Sequence, residues 1–380
     1  MKVSGLAGAN DGAMLEFLKL PITGIVSDIE PEEMAGFKEQ LEAKLMEELN
    51  HFIEGMPKAE LHVHVEGTLE PELKFQLAQR NNLDLPYETV DAMRAAYDFD
   101  DLPSFLKIYY EGMGVLVEEQ DFYDLTYAYL EKAHSQNVIY AELFFDPQAH
   151  TTRGISYDTV INGIRRAQDD AEEKLGIKTQ LIMCFLRDMS AESAMIALKQ
   201  SLPYKGWIVG VGLDSDERGN PPIKFKAVFA LAKAEGYLLT MHCDVDQENS
   251  TTHIWQALND INVDRIDHGV NSLEDEVLCN EIIKRKLALT VCPISNGYVT
   301  DSMKAQEIKR MLDKGMRVTV NSDDPAYFPG YMSENLIATQ TSVGLSKSEV
   351  VQLMTNAFEG SWLPAKEKSA LLEKLEAYAA

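Results

Sequence analysis

The sequence has 380 residues, 45% of them hydrophobic, and 61 Asp and Glu against 35 Lys and Arg give a formal charge of -26. That apolar content supports a full core, and large α/β barrels reach this length as a single unit. The acidic balance tells against nucleic acid or an anionic membrane surface as partner and by itself identifies no substrate.

Residues 1–30 show no clear element, whereas PEEMAGFKEQLEAKLMEELNHFIE at 31–54 reads as an amphipathic helix. Pro31 and an acidic pair open it, apolar residues follow at helical spacing, and Gly55 and Pro57 end it. Short apolar runs then recur at 60–64, 138–145, 179–186, 207–213, 237–243, 263–267, 287–292 and 317–321. Stretches with helical spacing separate them, among them 122–137, 159–176 and 223–236. Strands alternating with helices in this way predict an α/β fold, a (β/α)8 TIM-like barrel of the metal-dependent hydrolase type. The tail at 346–378 reads as helical and is placed to cover one barrel end. The expected organisation is an N-terminal extension (1–55) whose helix packs on the barrel, a catalytic barrel (56–345), and a helical segment (346–380) of the same domain. Cys184, Cys243, Cys279 and Cys292 are widely spaced with no CxxC pair, which fits reduced thiols. The chain shows neither a basic-then-apolar leader nor a run long enough to span a bilayer, so a cytoplasmic protein is expected.

Polar residues close the strand runs at one end: His62 and His64, Glu142, Asp214, His242, His268, Asn296, and the Asp323–Asp324 pair. In a barrel those ends meet around one mouth, where catalytic groups collect. His62 and His64, two apart on a strand, face the same way. Three imidazoles and one carboxylate suit zinc, so His62, His64, His242 and Asp323 are candidate ligands that leave a position for water. His268 is then the residue that orients or deprotonates that water. A two-metal phosphotriesterase or amidase is an alternative, but the only candidate for its bridging group is Glu142. A catalytically dead barrel acting as a binding protein is another, and it must explain why all these residues are intact.

AELHVHVEGTLEPE, VGLDSDERGNPP, MHCDVD, RIDHG, CPISN and NSDDPAYF, in this order, resemble the adenosine and adenine deaminase family of zinc hydrolases, from about residue 56 to 340. The resemblance implies one zinc ion per subunit and hydrolysis of a 6-aminopurine to the 6-oxo base with release of the amine. It makes His62, His64, His242 and Asp323 the zinc ligands, His268 the water-handling histidine, and Asp324 a hydrogen-bond partner of the purine ring. The other common zinc-deaminase pattern, HxE with PCxxC, is absent.

Several stretches are similar to the adenine-deaminase branch: ELFFDPQAHTTRGI at 142–155, GLDSDERGNPPIKF, and Glu66 where adenosine deaminases carry an aspartate that meets the ribose. Glu66, Asp214, Glu217 and Phe145 are accordingly expected at the substrate, with Phe144, Tyr327 and Phe328 filling the volume of a missing sugar. One departure stands out. The family follows its third zinc histidine with HAGE, whose glutamate protonates ring nitrogen N1, but this chain has His242-Cys243-Asp244-Val245-Asp246. Valine cannot donate a proton, so Asp246 or Asp244 is expected to take that role. The changed loop also leaves room for a group on the exocyclic nitrogen. The expected partner is therefore a small-molecule purine base, adenine or an N6-substituted adenine such as isopentenyladenine, converted to hypoxanthine plus ammonia or amine. Adenosine deamination is the alternative, and a homo-oligomer is compatible with the two terminal helical segments.

Overall fold

The computed structural model describes residues 31–243 and 247–380. Among them the strand segments are β1 (Lys58–His64), β2 (Val138–Phe145), β3 (Lys178–Leu186), β4 (Ile208–Asp214), β5 (Leu238–Leu239), β6 (His242–Cys243), β7 (Ile266–His268), β8 (Ala288–Val291) and β9 (Arg317–Val320). Neighbours pair in parallel and in chain order, β1 to β5 and then β6 to β9. β5 and β6 share one strand position, the run expected at 237–243. Within it, Thr240 N donates to Val211 O and Asp267 N to Met241 O, both at 3.0 Å. The ring closes where Asp323 N reaches His62 O at 3.1 Å and His64 N reaches Asp323 O at 2.9 Å. The predicted barrel is the observed fold.

Covered on both faces, the strands are buried over most of their length and mainly apolar, as parallel sheets require, with Glu60, His62, Glu142 and Thr290 among the buried polar exceptions. Phe144, Ile182 and Cys184 point into the barrel, while Phe145 and most other strand residues join the large core beneath the surrounding helices. The tail, expected to be helical, forms two helices, Lys347–Gly360 and Ala365–Ala379, with a break ahead of Pro364. Trp362 in that break plugs the barrel: its backbone N–H donates to Glu142 Oε1 at 2.5 Å and its ring lies 4.4 Å from the Arg265 guanidinium. Gly210 makes room for it, since a Cβ there would come within 2.4 Å of the indole.

Ahead of the barrel lies the helix Pro31–Gly55, whose Ile53 is fully buried. Lys58 donates to Glu54 O, Met56 O and Gln136 O at 2.8 to 3.0 Å, satisfying carbonyls where two helices end. No helix among the described residues is long and apolar enough to cross a membrane.

Candidate metal centre and pocket

β1 brings His62 and His64 to the barrel mouth, β6 brings His242, and the turn after β9 brings Asp323. His62 Nε2 lies 3.1 Å from Asp323 Oδ1, and His64 Nε2 lies 3.3 Å from that oxygen and 3.2 Å from His242 Nε2. Donors about 2.0–2.1 Å from a tetrahedral zinc stand roughly 3.3–3.4 Å apart, so the spacing and the three-nitrogen, one-oxygen donor set both fit that ion. Asp323 and His268 adopt left-handed φ values of 66° and 58°, a costly conformation for residues other than glycine that persists where the surroundings impose it. The hydrogen bonds of both Asp323 N and Asp323 O to β1 impose it there.

The electrostatics agree with a bound cation. Burial, acting against the pull of Asp323, lowers His62 to about 4. Burial and the neighbouring imidazoles hold His242 well below its ordinary value. Neutral imidazole is the ligating form. Burial acts on His64 too, but the carboxylates of Asp324, Asp323 and Asp214 outweigh it and raise His64 to about 10. The centre thus holds more acid than its histidines alone balance.

Each candidate ligand is held from behind. Thr290 Oγ1 donates to Asp267 Oδ1 at 3.0 Å, so its oxygen is left to accept His62 Nδ1–H at 2.8 Å. That network assigns the His62 proton to Nδ1 and leaves Nε2 free to ligate. Asp267 Oδ2 accepts from Thr240 Oγ1 at 2.8 Å and lies 3.7 Å from His242 Nδ1, while Asp214 Oδ2 lies 3.5 Å from His64 Nδ1. Ser295 Oγ donates to Asp323 Oδ2 at 2.7 Å. Buried Arg187 donates to His242 O at 2.6 Å. Beneath Asp267, Arg265 Nε donates to it at 3.3 Å and Nη1 pairs with Glu142.

The pocket above is floored by His64, His242, His268, Asp323 and Asp324, flanked by Asp146 and Asp214, and walled by Leu102, Phe105, Leu106, Val299 and Phe328. His268 Nε2 lies 3.8 Å from Asp323 Oδ2, beside the ligand cluster. Gly67 lets the backbone press on Asp324, for a Cβ there would sit 2.0 Å from Asp324 Oδ1 and 2.8 Å from its Cα. Burial and the adjacent Asp323 push Asp324 well above the usual carboxylate range.

Several expected residues sit elsewhere, among them Tyr327, whose ring stacks on Tyr97 and whose hydroxyl accepts from Lys74 at 3.0 Å. Phe145 packs on the outer barrel face near Tyr157, and Phe144 takes the inner position with its ring 4.8 Å from that of His62. Adjacent strand residues point to opposite faces, so only one of the two phenylalanines could be inside. Glu66 does not line the pocket: its Oε1 accepts from Asp146 N at 3.0 Å and meets His150 Nε2 at 2.8 Å. Glu217 is buried outside the lining, where it meets His253 Nδ1 at 2.6 Å and Gln247 Nε2 at 3.1 Å. Glu142 lies below the mouth and faces Arg265, away from any metal-bridging position. Asp244 and Asp246, the expected N1 acids, fall outside the described residues. Sequence reasoning passed over Asp146, Asp267, Thr290, Ser295 and Arg187. Asp146, at least, obeys the criterion that picked out Asp214, a polar residue directly at a strand end.

Residues 57–378 match the sequence model of the adenosine deaminase family. An uncharacterized deaminase of Schizosaccharomyces pombe is 52% identical over 335 residues, 88% of this chain and 99% of that protein. An adenine deaminase of Hahella chejuensis is 51% identical over 332 residues, 87% of this chain and 99% of that protein. The crystal structure of an adenine deaminase from Arthrobacter aurescens superposes with a TM-score of 0.83 at 42% identity, covering 85% of this chain and 99% of that one.

Proposed function

The chain belongs to the adenosine deaminase family, and from that premise we propose that it hydrolyses adenine to hypoxanthine and ammonia with one zinc ion per subunit. The observation that carries the reading is the convergence of three imidazole Nε2 atoms and Asp323 Oδ1, within 4.8 Å of one another, beside His268 and Asp324. The likeness to adenine deaminases over nearly their whole length supports a free base as substrate.

Zinc, when bound, would acidify a water and so supply a nucleophile near neutral pH. His268, on its strained backbone, takes up the proton of the attacking water and aims its oxygen at ring carbon C6. Ser295 fixes Asp323 Oδ2, which keeps Oδ1 directed at the three imidazoles. Asp324 hydrogen-bonds the imidazole ring of the purine and sets the approach angle. Asp246 or Asp244 delivers a proton to N1 as aromaticity is lost, and ammonia leaves from the tetrahedral C6. The buried pocket strengthens each of these charge interactions.

A second reading has an observation of its own. The apolar wall of Leu102, Leu106 and Val299 suits an alkyl group on the exocyclic nitrogen, so N6-substituted adenines such as isopentenyladenine are alternative substrates. The test is zinc content together with ultraviolet absorbance change on adenine, N6-isopentenyladenine, N6-methyladenine and adenosine. Turnover of adenine well above adenosine is expected, and no turnover of any despite stoichiometric zinc would overturn the reading.

A further inference from the structure

The proposed reaction gives work to Asp323, Asp324 and Asp214, the last as the carboxylate behind His64. A further pocket carboxyl, Asp146, follows β2 directly and has no part in that scheme. Its placement is built with care. Asp146 N donates to Glu66 Oε1 at 3.0 Å. Arg153 Nη2 can only donate, so His150 Nδ1 accepts from it at 2.9 Å, and His150 Nε2–H therefore donates to Glu66 Oε1 at 2.8 Å. Arg153, His150 and Glu66 thus hold the Asp146 backbone at the pocket edge.

The side chain is 1% exposed, lies beside Asp214, and keeps Oδ1 with no hydrogen-bond partner among the described residues. A buried oxygen of this kind is costly unless a ligand supplies the donor. A 6-aminopurine has two kinds of N–H to offer. The exocyclic amine leaves at the metal side. The other is the imidazole N–H, which a free base carries and a nucleoside replaces with its glycosidic carbon.

The order of groups selects the nitrogen. Asp324 directly follows Asp323, so with C6 at the metal it meets N7, the imidazole nitrogen on the C6 side. Asp146 stands with Asp214 on the His64 side of the cluster, one ligating atom of each lying within 4.8 Å of the others, and with N7 taken by Asp324 the imidazole N–H left for it is that of N9. Resting on the adenine reading above, we propose that Asp146 is the residue that selects a free base, its Oδ1 accepting the N9–H of the bound purine. Glu66, His150 and Arg153 are the positioning residues that hold it there.

The experiment measures kcat and KM on zinc-loaded wild type, Asp146→Leu and Asp146→Asn, with adenine and with 9-methyladenine, which lacks N9–H. Leucine removes the acceptor, while asparagine keeps an oxygen for the purine and an N–H for Asp214. Asp146→Leu is expected to lower kcat/KM for adenine by about 30- to 300-fold, chiefly through KM, and to leave 9-methyladenine within about threefold. Asp146→Asn should stay within about tenfold of wild type on adenine. If Asp146→Leu lowers both substrates alike or neither, or if Asn is as damaging as Leu, the proposal is overturned. Wild type that turns over neither purine would sink the deaminase reading separately. The dissociation constants of the same two purines, measured by calorimetry, then decide on Asp146 by the same comparison.

Discussion

Replacing Asp267 with asparagine should weaken zinc binding without unfolding the barrel. Asp267 accepts from Thr290 at 3.0 Å, Thr240 at 2.8 Å and Arg265 at 3.3 Å, and it lies 3.7 Å from His242 Nδ1. The amide must turn its oxygen toward the donors Arg265 and Thr290, because its NH2 cannot accept from them. The NH2 then faces Thr240 and His242. Thr240 has a second acceptor, Arg265 O at 3.2 Å, but His242 loses its anionic neighbour. His62 keeps only a weaker, neutral support through Thr290. Loss of such a partner behind a ligating histidine typically lowers metal affinity about 10- to 100-fold, or roughly 1.4–2.7 kcal/mol. Two ligands depend on Asp267, so the upper half of that range is expected. Arg265 stays paired with Glu142, so no buried charge is stranded and the fold survives. Competition for zinc against a chromophoric chelator measures the effect, with circular dichroism as the control for folding. Thr290→Val, which cuts only the His62 branch, should fall in the lower half. Zinc affinity within twofold of wild type in a folded Asp267→Asn protein would refute the reasoning.

Three further perturbations separate the roles of neighbouring groups. His268→Ala should lower kcat by about 10²- to 10⁴-fold with zinc content unchanged, and loss of the metal instead would show that His268 is a ligand. Gly67→Ala forces a Cβ to within 2.0 Å of Asp324 Oδ1, so adenine kcat/KM should fall by at least about 10²-fold while zinc stays bound; wild-type activity would mean that Asp324 need not be fixed. Lys74 is buried against the hydroxyls of Tyr97 and Tyr327, and burial lowers it from 10.5 to about 8. The folded state therefore binds this proton more weakly than the unfolded chain, and stability rises as pH climbs from about 8 to 10.5. Below that window the penalty is on the order of 3 kcal/mol, so Lys74→Met should raise Tm at pH 7 and lose its advantage by about pH 10.5. Scanning calorimetry across that range checks it, and a Tm difference independent of pH would count against a charged, desolvated lysine.

The barrel was legible because its rhythm is coarse. A covered strand needs only a short apolar run and a covering helix only its period, and both survive sequence reading at β2, where 138–145 is also the observed span. What such a run does not encode is its phase. With both faces buried, Phe144 and Phe145 satisfy the same demand for an apolar side chain, and only the closed ring decides that Phe144 backs the histidines. Depth along the strand, not phase, misplaced Glu142, which shares the inner face with Phe144. Taken as a mouth residue, it lies three positions before the end of β2, deep enough to need Arg265, Tyr140 and the Trp362 N–H as partners. The tail helix broke for an equally local reason, since Trp362 had to enter the barrel.

The clustered histidines, candidate ligands, were legible for the opposite reason, because imidazoles are costly to bury without a task and they recur at strand ends. The groups behind them carry no such mark. Thr290, Asp267 and Arg265 read as ordinary strand residues until the ring brings them within hydrogen-bond reach of one another and of His62. Glu66 lies between these cases. Its sequence position pointed to base over nucleoside, while the structure gives its oxygen to Asp146 N and His150. On the proposal for Asp146, any effect of Glu66 on substrate choice passes through that residue, which only the fold places beside it. Glu66→Gln should then act as a weaker copy of Asp146→Leu, shifting KM for adenine and sparing 9-methyladenine. An effect on kcat for both purines would return Glu66 to the reacting centre.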